Sequence, residues 1–90
     1  MHLLWHTNAQ KDRLRIMDAI ADDNPDAAIA LDEDFRDKAR RAAQNPRIYK
    51  QGRYPGTREI VIRPNYVMVY RILQDSVEIL RIIHARRLWP

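Results

Sequence analysis

The fold is decided by residues 58–84, which read REIVIR (58–63), PN (64–65), YVMVYRIL (66–73), QDS (74–76) and VEILRIIH (77–84). The three longer segments are rich in β-branched and aromatic residues, as strands are. The segments between them hold two and three residues, lengths that join antiparallel neighbours. The stretch therefore predicts a three-stranded antiparallel meander.

The middle strand of this meander is apolar on both sides. Val67 and Val69 point to one face of the predicted sheet, whereas Met68 and Tyr70 point to the other. One face must pack on the rest of the chain, and the pattern does not say which. The opposite face and the exposed sheet edges are then left to attract a partner.

A helical period precedes the meander. We predict a first helix over about residues 8–22, with Thr7 or Asn8 as its N-cap. Its charged positions, among them Asp12, are expected to face water. The residues expected on or beside its buried stripe are Ala9, Leu14, Ile16, Met17 and Ile20.

A second helix is predicted to begin at Pro25, behind an Asn24 cap, and to end before Pro46. Its apolar residues recur every three or four positions, which is the spacing of one buried helix face. A short opening strand is expected at residues 3–5. The predicted fold is therefore α+β: a single domain over residues 1–90, with an N-terminal helical hairpin packed on a three- to four-stranded antiparallel sheet.

Composition excludes several classes of function. The chain has no cysteine, so it has no disulfide framework, thiol nucleophile or cysteine zinc site. Its apolar runs are too short to cross a membrane, and its N-terminus carries no secretory signal, so we expect a cytoplasmic protein with no membrane partner. His2 and His6 lack a carboxylate at suitable spacing, and we therefore predict neither a metal nor a cofactor.

Positive charge is concentrated in the second half of the chain. Residues 46–90 hold nine basic and three acidic residues, a net charge of +6, whereas residues 1–45 carry a net charge of −2. Eight of the nine basic residues are arginines, whose planar forks suit carboxylates and phosphates. This asymmetry favours a polyanionic or acidic protein partner.

Five segments carry a recognisable pattern: DNPDAA (23–28), GR (52–53), GTREIVI (56–62), YVMVYR (66–71) and VEILRIIHARRLWP (77–90). They resemble the RelE/ParE superfamily of toxins from type II toxin–antitoxin systems. The resemblance spans nearly the whole chain and agrees with the predicted order of two helices and three strands. It implies a cognate antitoxin whose C-terminal segment wraps the toxin.

The superfamily has two mechanisms, and three residues bear on the choice between them. One branch cleaves messenger RNA on the ribosome with cations from its central strands, and the other poisons DNA gyrase. Where the ribonuclease pattern has lysines, this chain has Glu59 and Val61, and where it has an arginine after the strand-opening Tyr66, this chain has Val67. The resemblance therefore favours the ParE-like, gyrase-targeting branch. The alternatives are a RelE-like endoribonuclease acting on ribosome and message, and a non-toxic binding module.

Two sets of candidate site residues follow from the resemblance. The antitoxin contacts are predicted at Arg58, Arg71, Arg81, Arg86, Arg87 and Trp89, with the apolar helix surface as a second location. In the ribonuclease alternative, the catalytic residues are Arg58, Arg71, His84 and Arg86.

Each candidate also has a structural interpretation. Arg58 is expected to anchor its strand by pairing, and His84 stands without a recognisable catalytic partner. An acidic antitoxin residue, or Glu59 or Glu78 of the same chain, would neutralise Arg71 and Arg81. Trp89 either stacks on a partner or covers the edge of the core.

Overall fold

A computed structural model describes residues 1–87 of the chain. Two helices form a hairpin that packs on one face of a four-stranded sheet. The elements are β1 (His2–Trp5), α1 (Thr7–Ala21), α2 (Pro25–Gln44), β2 (Arg58–Ile62), β3 (Tyr66–Ile72) and β4 (Ser76–His84). The predicted α+β class and the order of its elements are confirmed.

The sheet order is β1-β4-β3-β2. Strands β2, β3 and β4 form the predicted antiparallel meander. The opening strand β1, however, runs parallel to β4, from the pair His2 and Ser76 to the pair Trp5 and Ile79. The sheet is therefore mixed rather than entirely antiparallel, because the chain between β1 and β4, which contains both helices, β2 and β3, is long enough to let the two strands run in the same direction.

A β-bulge in β4 changes which residues face the helices. Val69 pairs with Arg81, but its neighbour Tyr70 pairs with Ile79, which leaves Leu80 without a partner on β3. The extra residue reverses the alternation of the strand. Ile79 and Ile82 therefore both reach the core although they are three positions apart.

The face that meets the helices is the one bearing Met68 and Tyr70. Both side chains are fully buried in the main core, together with Phe35 of α2. On the opposite side, which we call the open face, Val67, Val69 and Ile83 form a second, smaller cluster. The structure thus decides between the two faces that the sequence pattern left open.

The first helix differs from its prediction at three residues. His6, rather than Thr7 or Asn8, is the N-cap, because its Nδ1 accepts the backbone N–H of Asn8 at 3.0 Å. Leu14, expected on or beside the buried stripe, is 66% exposed. Asp12, expected to face water, is 1% exposed. The Asn24 cap of α2 is confirmed by its side chain, which accepts the N–H of Ala27.

The hairpin is held together by a polar contact between its two helices. Arg13 of α1 donates from Nε and Nη2 to the two carboxylate oxygens of Asp32 on α2, at 2.5 and 2.9 Å. These hydrogen bonds hold the pKa of the Asp32 carboxyl below its usual range. The Arg13 guanidinium also lies 4.9 Å from the centre of the Trp5 ring, so it joins both helices to β1. Within residues 1–87, no helix is long and apolar enough to cross a membrane.

Candidate functional site

A groove on the open face brings together two of the predicted site residues, Arg71 and Arg81. Its floor is made by these two side chains and Leu80. One wall is the start of α1, and the other is the segment 54–57, which precedes β2. The bulge at Leu80 places Arg71 and Arg81 together in this groove.

Arg71 is neutralised within the chain. It lies directly opposite Glu78 on β4, and its Nε and Nη2 contact Glu78 Oε1 at 2.8 and 2.7 Å. The Arg71 side chain is still 49% exposed. Glu78 of the same chain, one of the three acids that the sequence left open as partners, is therefore the partner of Arg71 in this structure.

Arg81 is paired with a residue that the sequence analysis assigned to solvent. Its Nε and Nη2 donate to the two carboxylate oxygens of Asp12, at 2.7 and 3.0 Å. Asp12 Oδ2 also accepts the backbone N–H of Ile82 at 2.9 Å, and Oδ1 accepts a bond from Arg15 at 2.7 Å. Asp12 therefore joins α1 to the edge of β4 beyond the end of β1.

The ionisation of Asp12 reflects these contacts. Burial acts to raise the pKa of its carboxyl, but the bonds from Arg81, Ile82 and Arg15 outweigh burial and hold the pKa below its usual range. The same carboxylate raises the pKa of Arg81. The pairing of Asp12 with Arg81 was missed because a charged residue was expected to face water. The position of Asp12, three residues after Ala9 and four before Ile16, nevertheless places it on the buried stripe of α1.

Arg58 lies apart from this groove's floor. It lies on the same face of β2 as Ile60 and Ile62, which is the face that meets the helices, and its Nη1 donates to the carbonyl oxygen of Tyr49 at 2.7 Å. A second, longer bond reaches the carbonyl oxygen of Arg47 at 3.4 Å. The side chain thus holds the segment that follows α2 against the sheet, which agrees with the anchoring role considered for it.

Glu59 is buried on the open face beneath the segment 51–57. Its Oε2 accepts the backbone N–H of Arg53 at 2.8 Å, and its side chain is 3% exposed. Val61, the other residue at a ribonuclease lysine position, is 61% exposed. Glu59 therefore fixes the segment 51–57, and Val61 presents an aliphatic side chain to solvent.

His84 and Arg86 lie at the far end of the sheet. The His84 ring meets Tyr66 edge-on at a centroid distance of 5.9 Å, and Tyr66 in turn meets Phe35 at 5.7 Å. His84 Nδ1 accepts the backbone N–H of Arg86 at 3.2 Å. The side chains of Arg86 and Arg87 are exposed. Trp89, a predicted antitoxin contact, lies outside the described residues.

The structure does not assemble the four residues of the ribonuclease alternative. Arg58 pairs with Tyr70 and His84 with Tyr66, so the two are four β3 positions apart, roughly 13 Å along the strand. Arg71 projects from the open face, whereas Arg58 and His84 are paired with Tyr70 and Tyr66 and lie on the helix-facing side of the sheet. Among residues 1–87, no three His, Cys, Asp or Glu side chains converge in a way that suits a metal ion.

Comparison with known proteins identifies the family. A family model described as the ParE toxin of type II toxin–antitoxin system, parDE, matches residues 3–89. The chain belongs to the ParE toxin family. As a ParE family member, it carries its strand arginines in internal contacts with Glu78, Asp12 and backbone carbonyl groups.

A curated protein agrees with this assignment, and a solved structure shares the fold. The ParE family chain is similar to "Putative toxin Y4kP" of Sinorhizobium fredii, with 38% identity over 72 residues, which are 79% of this chain and 74% of that protein. Its fold matches a chain from the "Chromosomal ParDE TA system from P. aeruginosa" with a TM-score of 0.83. That match has 22% identity and covers 96% of this chain and 97% of the other, so it shows a shared fold.

The loop beside the groove depends on a glycine at position 52. A Cβ there would collide with Thr57 Oγ1 and lie 3.3 Å from Glu59 Cγ. We therefore expect Gly52→Ala to destabilise the protein by about 1–3 kcal/mol, measured by urea unfolding.

The matched control for this substitution is Gly56→Ala, which meets no atom within 4 Å but has a φ of 82°. It should lose only about 1–2 kcal/mol to backbone strain, without a steric term. Adding Thr57→Ala removes the colliding oxygen and should make the Gly52→Ala double variant less unstable than the sum of its two single changes. Strict additivity would contradict the collision.

Proposed function

We propose that this ParE family member is the toxin of a toxin–antitoxin pair, and that it acts in the cytoplasm by binding DNA gyrase rather than by cleaving RNA. The observation that carries the proposal is the engagement of the strand arginines. Arg58, Arg71 and Arg81 are each bonded to an acceptor of the same chain. A surface whose strand arginines are already bonded within the chain is suited to binding a macromolecule by shape complementarity.

Cleavage of RNA makes different demands. It requires a base for the ribose hydroxyl, cations on the pentacoordinate phosphate and a proton for the leaving oxygen. Glu59 would place a carboxylate beside that phosphate, and Val61 and Val67 offer no charge. Moving Arg71 or Arg81 to a phosphate would also break its ion pair with Glu78 or with the buried Asp12.

One observation favours the ribonuclease alternative. The exposed Arg86 side chain has no acidic partner within residues 1–87, and it follows His84, whose Nδ1 is the acceptor of a backbone bond. With Nδ1 engaged in this bond, Nε2 is the ring nitrogen that would act as acid or base on a substrate. In that case Arg86→Ala would abolish cleavage of ribosome-bound message without unfolding the protein.

We place the antitoxin contact on the open face. The half-exposed Arg71 and the exposed Leu4 border the same row of strand residues, because Leu4 pairs with Glu78 and Glu78 pairs with Arg71. An antitoxin segment with alternating acidic and apolar residues would match this row. The helical hairpin, where Ile29 is 59% exposed and Leu14 is 66% exposed, offers a second apolar contact.

The proposal is tested with purified toxin, purified gyrase and plasmid DNA. We expect the toxin to block supercoiling and to increase the amount of linear DNA released when gyrase is denatured, and we expect the cognate antitoxin to reverse both effects. Unchanged supercoiling at a large excess of folded toxin would refute gyrase as the target. Messages bound to translating ribosomes should stay intact in the parallel assay.

A further inference from the structure

Three arginines lie at one end of the sheet and take no part in the contacts of the strand arginines. Arg63 is in the turn between β2 and β3, and Arg86 and Arg87 follow the end of β4. The two turns are joined, because the backbone N–H of Ala85 donates to the carbonyl oxygen of Asn65 at 2.6 Å. We call Arg63, Arg86 and Arg87 the terminal arginine cluster.

The side chains of this cluster differ from those of the strand arginines in their partners. All three residues are exposed, and none forms an ion pair with an acidic residue within residues 1–87. The two joined turns, residues 63–65 and 85–87, contain no acidic residue. This end of the sheet therefore carries three positive charges that the chain itself does not neutralise.

The geometry of the same end limits the kind of ligand that it fits. An extended peptide binds best along an open strand edge or in a groove, where its backbone finds hydrogen-bond partners. Residues 63–65 and 85–87 are turns and offer no such edge. Guanidinium forks on projecting turns instead suit separate anionic groups spaced along a chain, as in a sugar–phosphate backbone.

We propose that the terminal arginine cluster binds the phosphate backbone of nucleic acid, and that in the gyrase complex this nucleic acid is the DNA. The inference rests on the proposed function for the choice of DNA. Binding through phosphates is largely independent of base sequence and falls steeply with salt. The cluster would hold the toxin beside the DNA segment while other surfaces contact the enzyme.

The test measures binding of the purified chain to a short fluorescein-labelled DNA duplex by anisotropy, at increasing potassium chloride concentrations and without gyrase. The variant is R63Q/R86Q/R87Q. Its control is R36Q/R40Q/R41Q, which removes the same charge from exposed arginines of α2. We expect the slope of log Kd against log salt to decrease by about one unit for each cluster arginine removed, and to change much less in the control.

Equal effects of the two triple variants, or no effect of either, would overturn the proposal. A labelled single-stranded RNA serves as the second probe, and loss of RNA binding with unchanged DNA binding would overturn DNA as the ligand. Because no gyrase is present, a failed supercoiling assay leaves this result standing. Conversely, if the R63Q/R86Q/R87Q variant poisons gyrase as well as the wild-type toxin does, the proposed role of the terminal arginine cluster is refuted and the proposed function is not.

Discussion

Replacement of Asp12 by alanine is expected to lower the free energy of unfolding by about 3 kcal/mol, because it removes a buried carboxylate that is bonded to an arginine and to a buried backbone N–H. The substitution removes the acceptor for Arg81 and for the backbone N–H of Ile82 at once. Ile82 is buried, so water does not readily replace that acceptor. For a domain of this size the melting temperature should decrease by roughly 12–24 °C.

Two further variants separate this role from a general effect on α1. Asp12→Asn keeps one oxygen acceptor but removes the charge, and it should lie between wild type and Asp12→Ala. Asp18→Ala, at an exposed position of the same helix, should change the free energy of unfolding by less than about 0.5 kcal/mol. Similar losses for Asp12→Ala and Asp18→Ala would contradict the role of Asp12 as the link between α1 and β4.

Phe35→Ala is expected to have a comparable or larger effect, a loss of about 3–5 kcal/mol in the free energy of unfolding. The Phe35 side chain is fully buried where α2 crosses the sheet, and its ring supports Tyr66 edge-on. Tyr66 in turn contacts His84, the last residue of β4. The substitution should therefore also loosen the end of the sheet, seen as reduced near-ultraviolet circular dichroism.

The control on the same helix is Ile29→Ala, because Ile29 is 59% exposed. Its effect on urea unfolding should stay within about 0.5 kcal/mol of wild type. If Phe35→Ala were as stable as Ile29→Ala, the assignment of the helix-facing core would be wrong.

Much of the fold could be predicted from local sequence because local physics determines it. The meander follows from β-branched segments and short connections, and Pro25 after Asn24 marks the start of α2. The pairing of β1 could not be predicted in the same way. Its direction depends on contacts between residues that are more than seventy positions apart, such as His2 and Ser76.

The arrangement of the site was harder to predict than the fold. The groove depends on the bulge at Leu80, which turns Arg81 and Ile82 relative to Ile79, and no turn-forming residue marks it in the sequence. The burial of Asp12 depends on the same local geometry, since its Oδ2 accepts the backbone N–H of Ile82. The pairing of Arg71 with Glu78, by contrast, was among the alternatives considered from the sequence.

We propose that the toxin disables gyrase by binding it and leaves RNA intact. The most direct measurement is a paired assay on one preparation of folded toxin, which follows gyrase-dependent DNA breakage and the integrity of messages on translating ribosomes. The account predicts more linear plasmid DNA and full-length message. Messages cut at the ribosome, with plasmid supercoiling unaffected, would contradict it.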